Sequence, residues 1–118
     1  MGYPRKLAIG RSGEISRVIK RGIFFSDRLL RVNVLTQHEE RQPPPTRVAL
    51  IVPRFGRTAV LRNRLKRRLQ GIVQVSDALS RGYLLVVRVL PEAYEADFHT
   101  LEAHFNDLAA KVAARGSG

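Results

Sequence analysis

Two segments of this chain are apolar at almost every position, RVALIVP at Arg47–Pro53 and YLLVVRVL at Tyr83–Leu90. A strand with one wet face alternates apolar and polar residues. A strand without that alternation is covered on both faces, so both segments read as interior strands of a sheet. Gly82 opens the second, and Pro53 and Pro91 close the two. Between them Leu61, Leu65, Leu69, Ile72 and Val73 fall on one stripe at helical spacing, which predicts a helix over Val60–Val75.

The remaining elements follow from shorter signals. Ser12 can cap a helix whose Ile15, Val18 and Ile19 share a face, with Gly22 as its stop. Ile23–Phe25 reads as a short strand. LRVNVL, from Leu30, alternates with period two, so Leu30, Val32 and Val34 should face the core and Arg31 and Asn33 the opposite surface. TQHEERQPPPT, at Thr36–Thr46, is a loop, because Pro43–Pro45 cannot continue a ladder. A proline run can also be a ligand for a proline-recognising module, but a stiff turn suits its composition better. In the last helix Phe98, Leu101, Phe105, Leu108 and Val112 step by three and four, with Glu95 and Asp97 early and Lys111 and Arg115 late, as the helix dipole favours. The order α-β-β-β-α-β-α gives an α+β fold, a single-domain sandwich spanning 1–118, with 1–9 and 114–118 expected to be flexible.

Charge then narrows the function. Lys plus Arg total 21 against 10 Asp plus Glu, a formal net charge of +11 that opposes compaction unless a polyanion takes up the field. Nucleic acid and an anionic membrane are the two candidates. No apolar run approaches the roughly 20 residues of a spanning helix. The opening MGYPRKLAIGRSG lacks a signal-peptide core, and Lys6 stands where a myristoylation pattern needs Ser or Thr. With no cysteine there is no disulfide framework, thiolate metal site or thiol nucleophile, and a cytoplasmic location is expected.

The charge concentrates in RNRLKRRL, Arg62–Leu69. Asn63, Arg64 and Arg67 project away from the leucine stripe, and Arg62, Lys66 and Arg68 sit at its margins. No acidic residue occurs between Glu40 and Asp77. A merely solvated helix interleaves both signs, because like charges three or four apart repel. Uncompensated repulsion points to a polyanion-binding face, and the preference for arginine points to forked hydrogen bonds with phosphate.

Composition leaves DNA and RNA equal; the motif separates them. ALIVPRFGRTAVLRNRLKRRLQ resembles the signature of the protein subunit of bacterial ribonuclease P. EISRVIKRG resembles that family's first helix and closing glycine, RVALIV the strand before the signature, YLLVVR the following strand with Arg88, and AYEADFHTLEAHF the last helix. The resemblance implies an α+β sandwich with an unusual left-handed βαβ crossover, contrary to the usual hand. It implies that catalysis belongs to a large RNA subunit, which uses magnesium, bound mainly by RNA and substrate, to release the 5′ leader of precursor tRNA. The implied partners are ribonuclease P RNA and precursor tRNA, with no DNA and no membrane. Arg62, Asn63, Arg64, Lys66, Arg67 and Arg68 would face the catalytic RNA. The leader would enter a cleft lined by Ile15, Val18, Ile19, Lys20, Arg31, Asn33, Ile51, Arg54 and Arg88.

This chain departs from the family pattern in two places. Family members commonly carry aromatics where Ile15, Ile19 and Asn33 stand, and stacking on such rings is worth about 1–3 kcal/mol per base. Phe24, Phe25 and Phe55 are the available substitutes, so leader contact should rest more on charge and be less base-selective. PRFGRTAVL also replaces the family's lysine-rich turn, with Pro53 and Leu61 at positions often polar.

Independent chemistry is not encoded. His38, His99 and His104 lack metal-ligand spacing and read as surface residues, and Glu14, Asp27, Asp77 and Glu102 are too scattered for two-metal nuclease work. A structural RNA-binding protein, such as a ribosomal protein without associated catalysis, is the alternative that composition alone leaves open.

Overall fold

The computed structural model describes residues 12–36, 45–74 and 82–116. The elements are α1 (Ser12–Arg21), β1 (Ile23–Ser26), β2 (Leu30–Thr36), β3 (Arg47–Ile51), α2 (Ala59–Gln74), β4 (Tyr83–Val89), a 3-10 turn at Pro91–Glu95 and α3 (Phe98–Gly116). The four strands form one mixed sheet in the order β1-β2-β4-β3. β1 with β2 and β2 with β4 are antiparallel; β3 and β4 are parallel across α2.

β4 is an interior strand, but β3, expected to be interior as well, lies at the sheet edge and pairs only with β4; its unbroken apolar run reflects cover on both faces, not a central position. Val32, Val34, Val48, Leu85, Val87 and Val89 meet Leu65, Leu69 and Ile72 of α2 and Leu101, Phe105 and Leu108 of α3 in the larger core. On the other face Ala49, Leu84 and Val86 pack against Val18 of α1. Burying each such leucine or valine contributes about 1.5–3 kcal/mol, so both layers are needed to hold the sheet.

α1 is fixed at each end. Arg47 makes two charge-assisted hydrogen bonds to Glu14, at 2.8 and 2.9 Å, across the sheet edge. At the other end the Gly22 N–H donates to the Val18 carbonyl at 2.9 Å. A Cβ on Gly22 would run into the Val34 carbonyl oxygen, so glycine is required by close backbone approach.

Asp27 organises the β1–β2 hairpin. Its Oδ1 accepts the Leu29 and Leu30 amides at 2.8 and 3.0 Å, and its Oδ2 accepts His104 Nδ1 of α3 at 2.7 Å. Burial pushes the Asp27 carboxyl up, but the His104 hydrogen bond and the two amides outweigh it and hold the group below its ordinary 3.8. His104 is therefore a bridge between layers and not a free surface histidine.

The β3–α2 junction is similarly locked. Thr58 caps α2, its Oγ1 accepting the Leu61 amide at 3.2 Å. Arg62 reaches back from the helix, and its Nε donates to the Val52 carbonyl at 2.8 Å. Tyr94 donates its hydroxyl to the Pro53 carbonyl at 2.7 Å, pinning the connection to the 3-10 turn.

Several expectations need adjustment. Leu61 and Phe98 are exposed, so each apolar stripe begins one turn before burial does. Glu95 lies in the 3-10 turn, and Asp97 is the cap of α3, its Oδ1 accepting the Thr100 amide at 2.8 Å. That bond comes first among the causes that hold the exposed Asp97 carboxyl below the usual range. α3 continues through Gly116. Residues 1–9, Val75, His38, and Pro43 and Pro44 of the proline run lie outside the described residues.

Two stability tests follow. Asp27→Asn should cost about 1–3 kcal/mol at neutral pH, the price of unpairing a half-buried network. Because the folded-state pKa of Asp27 is lowered, its contribution is complete above the unfolded 3.8 and is lost as pH falls through the folded value. Urea denaturation of wild type and variant should converge in that acid range. Arg62→Ala should cost about 1.5–3 kcal/mol, the worth of a charged hydrogen bond. Exposed Arg64→Ala, on the same helix, should stay within about 0.5 kcal/mol.

Candidate nucleic-acid interface

Two cationic surfaces lie on opposite faces of the sheet. The first is the outer side of α2, whose inner side is committed to the larger core through Leu65, Leu69, Ile72 and Val73. Asn63, Arg64 and Arg67 are exposed, while Arg62, Lys66 and Arg68 are half-buried at the margins. Val60, Asn63, Arg64, Arg67 and Arg68 line an open groove of about 470 Å³. Among the described residues no cation of α2 forms an ion pair with a carboxylate.

The six basic-helix positions are not equivalent. Arg62 is turned toward Val52, and Arg68 Nη1 points to the Ala96 carbonyl at 3.4 Å, a weak hydrogen bond. Among the described residues Asn63, Arg64 and Arg67 have no such engagement, and their side chains are exposed. They can take phosphate oxygens without first giving up a contact inside the protein.

The second surface is the α1 side of the sheet. Cross-strand register aligns Ser26, Arg31, Arg88 and Ile51 in one row, and Phe24, Asn33, Val86 and Ala49 in the next. Side chains two apart on a strand share a face, so these rows form a single surface. α1 covers part of it. Val18 is fully buried against Ala49, Leu84 and Val86, and Asn33 is only 4% exposed. Those two residues, expected to line a cleft, are instead buried, Val18 on the inner side of α1 against the sheet and Asn33 within the sheet face, and neither is open to a ligand. Ile19, Lys20 and Arg88 are exposed, Ile15, Arg31 and Ile51 are half-buried, and Arg54 is exposed on the β3–α2 connection.

The three phenylalanines also separate. Phe25 packs against the larger core. Phe24 is 54% exposed, and the Arg31 guanidinium lies over its ring, 4.0 Å from the centroid. That stacked pair places an aromatic surface and a cation together on the open part of the sheet. Periodicity had separated Arg31 from the core; its placement on Phe24 depends on the hairpin register, which the Asp27 turn sets.

The described carboxylates are not gathered into a metal-binding cluster. Glu14 is taken up by Arg47 and Asp27 by two amides and His104, and among the described residues no three His, Cys, Asp or Glu converge. No helix among the described residues is long and apolar enough to cross a membrane.

Comparison with known proteins agrees with this architecture. The Ribonuclease P family model matches residues 3–113. The ribonuclease P protein component of Acidothermus cellulolyticus is 33% identical over 110 residues, covering 92% of this chain and 90% of that relative. That of Beutenbergia cavernae is 39% identical over 94 residues, covering 78% and 76%. Among solved structures, the Staphylococcus aureus RNase P protein superposes with a TM-score of 0.79 at 18% identity, covering 90% of this chain and 94% of that one. The Thermotoga maritima RNase P protein gives 0.69 at 21% identity, covering 82% and 90%. The chain belongs to the ribonuclease P protein family, the protein component of the ribonucleoprotein endoribonuclease that matures the 5′ end of tRNA.

Proposed function

We propose that α2 docks this subunit on ribonuclease P RNA and that the open α1 side of the sheet receives the single-stranded 5′ leader of precursor tRNA. The observation that carries the first half is the row Asn63, Arg64 and Arg67, exposed and without carboxylate partners among the described residues. Arginine forks match phosphate oxygens, and their release of condensed counterions drives binding. The second half is supported by Arg31 and Arg88, which lie side by side in register, next to the exposed ring of Phe24. A single strand offers phosphates and unstacked bases together, the combination such a surface can bind.

In this reading magnesium is held by the RNA subunit and the substrate, and the protein contributes no group to phosphodiester hydrolysis. Its arginines lower the repulsion between two RNAs brought together, so less magnesium is needed for the same affinity. A cytoplasmic site of action is implied. Reconstitution is the direct test: the purified chain, added to a bacterial ribonuclease P RNA, should stimulate precursor tRNA cleavage at low magnesium. Absence of stimulation would favour a purely structural RNA-binding protein.

The two surfaces are separable by mutation. Arg64→Ala with Arg67→Ala should weaken affinity for the RNA subunit and reduce the log–log salt slope by roughly 0.7–0.9 for each phosphate contact removed. Filter binding at several salt concentrations reads both quantities. Arg31→Ala or Arg88→Ala should instead weaken the holoenzyme's binding of precursor tRNA by roughly 2–10-fold, the worth of one exposed hydrogen bond, and leave mature tRNA unaffected. Equal losses for both RNAs would remove these arginines from the leader site.

A further inference from the structure

The β3–α2 connection holds an aromatic residue in a conformation that aromatic residues avoid. The Arg57 N–H donates to the Arg54 carbonyl at 2.8 Å, closing a four-residue turn. Its central residues are Phe55, with φ 50°, and Gly56, with φ 83°. Two positive φ angles in succession are what a type I′ turn requires, and glycine, asparagine or aspartate normally supplies them. Phe55 is the one non-glycine residue with positive φ among the described residues. Strain of this kind persists only where the surroundings over-determine it, and it clusters at sites that bind.

The surroundings here do over-determine it. The Phe55 ring meets Tyr94 edge-on, with centroids 6.5 Å apart. Tyr94 is itself tied to Pro53 through its hydroxyl, and the Arg57 guanidinium lies 5.3 Å from the Tyr94 ring centroid. Arg57 also reaches Glu95 at 3.5 Å, so the carboxylate that touches this turn is already engaged. Yet the contacts do not bury the ring, since Phe55 remains 42% exposed. Arg54 is exposed beside it, and α2 begins just beyond, its first turn carrying Val60, 68% exposed, on the wall of the arginine groove.

We infer that Phe55 is a preformed stacking contact for one unpaired base of the RNA subunit, backed by Tyr94 and flanked by Arg54 for the adjoining phosphate. This rests on the reading of α2 as the docking helix. Charge complementarity selects RNA as the occupant: an exposed ring within a field of arginines suits a base between phosphates. A turn held rigid before binding also spares the ordering entropy that a mobile loop would lose.

The test uses the full chain and ribonuclease P RNA. Phe55→Asn tolerates the positive φ and replaces the ring while keeping a Cβ, and Phe55→Gly suits the same φ but removes the whole side chain and frees the backbone, so agreement of the two variants isolates the ring. Either should weaken RNA-subunit affinity by roughly 5- to 100-fold, the range of one base–aromatic stack, with the salt slope unchanged because no charge is lost. Phe55→Trp should keep the affinity, and as the chain has no other tryptophan its fluorescence should be quenched when RNA binds. Wild-type affinity in the ring-less variants, or unaltered tryptophan emission, would overturn the inference. If Arg64→Ala with Arg67→Ala loses affinity while Phe55→Gly does not, only Phe55 is wrongly assigned. If neither loses it, the docking reading itself fails.

Discussion

β4 is the constraint on which the molecule depends. It pairs antiparallel with β2 on one side and parallel with β3 on the other, and Leu84 to Val87 are buried without a break. A strand so enclosed needs apolar cover above and below. α2 and α3 supply one side, and α1 the other. Because β3 and β4 are parallel, the chain between them must cross the sheet, and α2 is that crossover. The element that carries the most concentrated charge is thus also one the topology cannot omit.

Placing that charge on a core helix has a physical cost, and the fold reduces it selectively. Arg62 exchanges solvent for the Val52 carbonyl, and Arg68 leans on Ala96. Both cations serve the fold while adding to the field outside. Among the described residues Arg64 and Arg67 receive no such compensation, and the repulsion among the cations of the helix is left for an external anion to relieve. The same motif therefore mixes residues that hold the helix in place with residues that reach outward, and mutational loss at Arg62 should not be read as loss of an RNA contact.

The elements were largely legible in the sequence because their signals are local. Alternation in LRVNVL gave the inward set Leu30, Val32 and Val34, and the leucine stripe gave the inner face of α2. What was not legible depends on residues far apart in the chain. Val18 is sealed because α1 folds onto that end of the sheet, a placement set by Arg47 and Glu14, and Asn33 is buried within the sheet face. His104 finds Asp27 from 77 positions away. Phe55 in a left-handed turn has no sequence signal except the glycine that follows it, and the ring that supports it comes from the 3-10 turn after β4.

The alternation of β4 has a mechanical corollary. Val87 faces the layer containing α2, and its neighbour Arg88 faces the side occupied by α1. One strand thus sends adjacent residues to opposite layers, Val87 into the core beneath α2 and Arg88 to the α1 side, and in the proposed reading the thickness of the sandwich would set the distance between the two RNAs. Inserting a single residue in β4 would reverse this assignment, sending Arg88 inward and an apolar side chain out. A rigid spacer of this kind sets geometry without any moving part.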